Sequence, residues 1–87
     1  MSEAEREQWQ ACGRYYVATL ASAPDSMDLE LDDVGPGAGR GLVLLASRDD
    51  KSGAITIQVF SSDALPLPLV ERFISEARRC LPPGDSA

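Results

Sequence analysis

Residues 2–21, SEAEREQWQACGRYYVATLA, decide which fold class the chain enters. Trp9, Cys12, Tyr16 and Leu20 recur at spacings of three and four, with Gly13 and Val17 beside them, which reads as one apolar stripe on a helix. Ser2 and Glu5 form the S-x-x-E pattern of a capping box. Glu3, Glu5 and Glu7 fall in the first turns, where the helix dipole favours negative charge. The reading therefore predicts a helix from Ser2 to about Ala21, ended by Ala23-Pro24-Asp25-Ser26. Gly13 would stand in its interior at a cost of about 1 kcal/mol, allowing close approach to another element. Trp9 and Tyr16 are assigned to the core, and Tyr15 to an exposed contact.

Downstream, the period changes. Met27 to Val34 alternates, with Met27, Leu29 and Leu31 on one side and Asp28, Glu30 and Asp32 on the other, as in a half-buried strand. Gly35 to Gly41 is a glycine-rich, flexible connection. Leu42 to Ser47 is apolar on both faces and reads as a central strand. After a polar turn, Ile55 to Phe60 alternates again and forms a hairpin with the preceding strand. Pro68 suits a first helical turn. Val70, Phe73, Ile74, Ala77 and Leu81 form a second amphipathic stripe, with Leu69 and Cys80 at its edge, closed by Pro82-Pro83-Gly84.

The expected fold class is α+β: a helix, a three-stranded antiparallel meander and a second helix (αβββα), with both helices packed on one sheet face. The acidic strand lies at one edge, Leu42–Ser47 in the centre and Ile55–Phe60 at the other edge. Residues 1–82 form one domain and 83–87 a flexible tail. A chain of 87 residues buries only about 60–65% of its unfolded surface, so its core is marginal and a second copy would help it.

Net charge is −6, and its placement is uneven. Residues 1–34 carry a net −6, residues 35–60 a net +1 and residues 61–87 a net −1. Nucleic acid and anionic membranes are poor partners for such a surface. The N-terminal residues are acidic and lack an apolar run, so no secretory leader is expected. Cys12 and Cys80 each fall on an apolar helical stripe, where they read as reduced, buried residues of a cytoplasmic protein; a disulfide joining the two helices is the alternative.

Chemistry-bearing motifs fail one by one. The glycine-rich stretch at 35–41 opens a strand, whereas a phosphate cradle opens a helix. Asp28, Glu30, Asp32 and Asp33 lack the spacing of a calcium loop: counted from Asp28, the twelfth position is Gly39, where such a loop places glutamate. There is no histidine to activate a thiol or hydroxyl and only one lysine, so no catalytic, cofactor-binding or metal-ligating residues and no small-molecule substrate are expected. In element order the chain resembles double-stranded RNA-binding domains. That resemblance would imply lysines at the start of the second helix; Leu67-Pro68-Leu69-Val70-Glu71 stands there instead.

What remains is protein binding. With both helices on one face, the apolar residues of the central strand and Phe60 would be stranded on the other. Ile55–Phe60 is also an edge without charge or proline. The expected interface residues are Leu42, Leu44, Ile55, Ile57, Phe60 and Tyr15. The expected function is a non-enzymatic cytosolic interaction module (adaptor, assembly factor or chaperone-like), homodimeric through the sheet face or the third strand. In size, acidity and α+β content it is similar to bacterial secretion chaperones. The alternative is an acidic inhibitor (an immunity protein, antitoxin or nucleic-acid mimic) that blocks a basic partner with Asp28, Glu30, Asp32 and Asp33.

Overall fold

A computed structural model describes residues 5–23, 26–49 and 51–81. It contains a five-stranded antiparallel sheet followed by one helix: β1 (Glu5–Ala11), β2 (Arg14–Ala23), β3 (Ser26–Gly35), β4 (Gly41–Asp49), β5 (Ile55–Val59) and α1 (Leu67–Cys80). The strands lie in chain order, each paired with the next. The αβββα expectation is overturned: the segment read as the first helix is a β-hairpin.

Physical chemistry explains the hairpin. Ala11 pairs with Arg14, leaving Cys12 and Gly13 as a two-residue turn. Their φ values are +50° and +79°, and positive φ at both central positions is the mark of a type I′ turn, whose twist matches that of the flanking strands. Gly13 is therefore the turn residue of a hairpin, not a tolerated fault in a helix. The same side chains also fit a period of two. Trp9 faces Tyr16 across the pair, and Tyr16, Ala18 and Leu20 follow on one face. The β-formers Tyr15, Tyr16, Val17 and Thr19 support the strand. Ser2, the proposed cap, lies outside the described residues, and so do Pro24, Pro82 and the tail at 83–87.

The extra hairpin extends the sheet on the β3 side and leaves β5 as an edge. The acidic strand β3 is central, flanked by β2 and β4, rather than an edge. Its alternation is as expected: Leu29 and Leu31 are buried on the helix side, and Asp28, Glu30 and Asp32 lie on the other. The strand predicted as central, β4, sits between β3 and β5. Its doubly apolar run has a local cause. Leu31 pairs with Leu44 but Asp32 pairs with Leu42, so Val43 has no partner and forms a bulge. Consecutive residues Val43 and Leu44 are both buried. The bulge turns an apparently two-faced strand into a one-faced one.

α1 lies across this face. Leu69, Phe73, Ala77 and Leu81 are buried against Trp9, Tyr16, Leu29, Leu31 and Leu44. A helix of 14 residues is marginal alone; burying Phe73 completely contributes about 1.5–3 kcal/mol. Arg78 and Arg79 in the last turn complement the dipole. Among the described residues no second helix covers the opposite face, which is formed by alternate residues such as Val17, Thr19, Glu30, Leu45, Ser47 and Gln58; each is at least partly exposed.

Candidate protein-docking edge

The sheet has two edges, and the chain treats them differently. On β1, exposed Arg6 and Glu7 supply charge. The helix also reaches over this edge. The Arg72 guanidinium stacks on the Trp9 ring, 4.3 Å from its centroid, and Arg72 pairs with Glu7 at 3.6 Å. Trp9 Nε1–H donates to Glu7 Oε1 at 2.9 Å. Charge and a covering side chain are two devices that blunt a strand edge.

β5, Ile-Thr-Ile-Gln-Val, carries no charge, and among the described residues no side chain is seen to cover it as Arg72 covers β1. The hydrogen bonds to β4 fix which peptide groups point outward. Phe60 N–H donates to the Val43 carbonyl at 2.9 Å, and the Ala54 carbonyl accepts from Asp49 N–H at 3.0 Å. With Leu45 opposite Gln58 and Ser47 opposite Thr56, the even-numbered residues of β5 direct their backbone groups to β4. In an antiparallel ladder the alternate residues then face away. The N–H and C=O groups of Ile55, Ile57 and Val59 therefore form an open edge.

The side chains beside this edge are apolar and exposed. Ile57 is 43% exposed, Val59 63%, Phe60 51% and Leu67 67%. Ile57 and Val59 continue the rows of Ala46 and Leu44, so they lie on the helix side, but α1 does not reach them. Its sheet-facing stripe runs through Leu69, Phe73 and Ala77, and the Arg72 flank leans towards β1. Val70 and Ile74, on the opposite flank of the helix, are half-buried. Ile55 packs on the core. Ile57 and Val59 thus lie exposed on the helix-bearing side, next to the open edge.

The other expected interface residues are dispersed. Leu44 is buried under the helix and offers no surface. Leu42 is half-buried and, with Phe60 and Arg40, lines a shallow depression at one end of the sheet. Tyr15 is exposed, on β2, three strands from β5. Val59 and Leu67 were missed. Both were legible as apolar residues; the signal that they stay uncovered lies in the helix position.

The acidic residues separate into two groups. Asp28, Glu30 and Asp32 form a file along β3 on the open face. Asp33 does not belong with them. It is buried on the helix side and accepts from Arg14 Nε at 2.8 Å, Arg14 Nη2 at 2.9 Å and Gly35 N–H at 3.0 Å. Arg40 Nε lies 3.8 Å away. The Arg14 hydrogen bonds hold the Asp33 carboxyl below its ordinary value; burial opposes them and the Gly35 N–H adds to them. The glycine-rich connection is anchored here. A Cβ on Gly39 would lie 2.2 Å from the Asp33 carbonyl oxygen, so glycine is required where the loop crosses β3.

Cys12 is exposed at the hairpin tip and Cys80 is half-buried on the helix; neither forms a disulfide. The Cys80 thiol lies 3.9 Å from Glu76 Oε2. The expectation of two cysteines on facing helical stripes falls with the first helix. Among the described residues, no three of His, Cys, Asp and Glu converge to hold a metal ion, and no helix is long and apolar enough to cross a membrane. Comparison with protein families, with curated proteins and with solved structures finds no match for this chain.

Proposed function

We propose that the protein is a non-enzymatic interaction module that docks a protein partner on the β5 edge. One observation carries this reading: the outward peptide groups of Ile55, Ile57 and Val59 adjoin exposed Ile57, Val59 and Phe60, with no charge, proline or covering side chain among the described residues. Strand addition to such an edge derives affinity from main-chain hydrogen bonds and specificity from alternate side chains. Two cysteines outside any disulfide suit a reducing, cytoplasmic setting.

A second reading rests on the file of Asp28, Glu30 and Asp32 on the open face, which suits a basic partner. One experiment separates the two. Immobilised wild type, Ile57→Lys and the triple variant Asp28→Asn/Glu30→Gln/Asp32→Asn are used to capture partners from the source lysate. Docking on β5 predicts loss with Ile57→Lys alone. Loss with the triple variant alone, together with steep salt sensitivity, supports the acidic reading and refutes the first.

A further inference from the structure

We infer that the occupant of the β5 edge is β5 of a second copy of this chain, paired antiparallel about a two-fold axis at Ile57; the inference rests on the docking reading above. The outward peptide groups belong to odd-numbered residues, so pairing must set odd against odd. One register uses all of them: Ile57 opposite Ile57, and Ile55 opposite Val59. On the helix side this matches β-branched apolar side chains with one another. On the open side it matches Thr56 with Gln58. No charge is buried.

Charge placement selects self-pairing at this edge. The acidic excess lies in residues 1–34, which include β1, β2 and nearly all of β3, whereas residues 35–60 carry a net +1. Two copies meeting through β5 hold their acidic strands apart. The axis stands perpendicular to the sheet, so both helices lie on one side of a continuous ten-stranded sheet, five strands from each copy. The exposed Ile57 and Val59 of both copies then adjoin one another on that side.

Cysteine cross-linking reads the register directly. Thr56→Cys, Ile57→Cys and Gln58→Cys are each placed in a Cys12→Ser/Cys80→Ser background, with Trp9 fluorescence as the check on folding. In the proposed register, the two thiol-bearing residues of the Ile57→Cys variant sit about 5.5 Å apart at Cα, inside the disulfide range of about 4.4–6.8 Å. Ile57→Cys should therefore oxidise to a covalent dimer about a thousandfold faster than either neighbour at micromolar protein, because pairing holds only its two thiols within reach, at a millimolar effective concentration, while the neighbours react by collision between dimers. Sedimentation of wild type should show a dimer, and Ile57→Lys a monomer. A wild-type dimer in which Thr56→Cys or Gln58→Cys cross-links fastest overturns the register, and one in which none cross-links overturns pairing through β5. A wild-type monomer at about 100 μM, a tenth of the millimolar range, overturns the second copy as occupant. The docking reading then stands or falls on the capture experiment.

Discussion

Removing Arg14 should destabilise the protein more than neutralising Asp33, although the two side chains share the same hydrogen bonds. Asp33 is 1% exposed at its side chain and Arg14 26%. Arg14→Ala leaves a carboxylate buried with one backbone donor and a distant Arg40. Because Arg14 is itself a quarter exposed, breaking the pair this way costs less than breaking a fully buried one, about 2–3 kcal/mol. Asp33→Asn keeps an acceptor for Gly35, and Arg14 can turn its guanidinium to water, so the loss should be about 1–2 kcal/mol. A domain of this size is stable by roughly 5–13 kcal/mol, so the larger effect is a substantial fraction. The buried single tryptophan, Trp9, reports unfolding by fluorescence. With a urea slope near ~1 kcal/mol/M, Arg14→Ala should lower the midpoint by about 2–3 M and Asp33→Asn by about 1–2 M, at one fixed protein concentration. Acid supplies a second signature. The folded carboxyl of Asp33 titrates below its ordinary 3.8 because of Arg14, so folding is favoured by its ionisation above that value. The contribution disappears as pH falls through the lower folded value. Wild type should thus show an acid limb below about pH 4 that Asp33→Asn flattens. Equal losses for the two variants, or an unchanged acid limb, would refute the asymmetry.

Three further outcomes follow from the fold. Cys12→Asn should raise stability by about 0.5–1 kcal/mol in urea unfolding, since asparagine tolerates the positive φ that Cys12 adopts and favours type I′ turns. Val43→Ala should cost about 2 kcal/mol and Leu45→Ala less than about 1 kcal/mol, because the bulge buries the smaller residue and leaves the larger one half-exposed; the reverse order would place Leu45 in the core. Phe73→Ala should cost about 3–5 kcal/mol, whereas Phe60→Ala should leave monomer unfolding within about 0.5 kcal/mol of wild type and act on association instead.

The second half of the chain was legible because its periods are unambiguous. β3, β4, β5 and α1 appear within a residue or two of their expected positions, and Phe73 and Ala77 lie on the buried stripe. The first hairpin was not. Trp9 and Tyr16 are seven apart, a spacing that serves two helical turns and a two-residue hairpin equally well. Cys12-Gly13 lacks the Asn-Gly or Asp-Gly form that would have announced a primed turn. Glu5 and Glu7 satisfy a helix start as readily as an edge strand. The Val43 bulge is invisible to alternation, since it depends on the register with β3. Asp33 was grouped with its acidic neighbours because its partner, Arg14, lies 19 residues away and on the strand that had been read as a helix. Edge chemistry alone marks Ile57, but the exposure of Val59 depends on how α1 lies across the sheet.

The meander has a consequence for how the chain is made. Each strand pairs with its immediate predecessor, so the sheet can assemble hairpin by hairpin as it leaves the ribosome, without waiting for distant segments. The helix emerges after all five strands. Until then, the greasy side of the nascent sheet, with Trp9, Tyr16, Leu31 and Leu44, is bare. The whole length of α1, from Leu69 to Ala77, acts as the cover, so a stop codon before Leu67 would release a product with a sticky face.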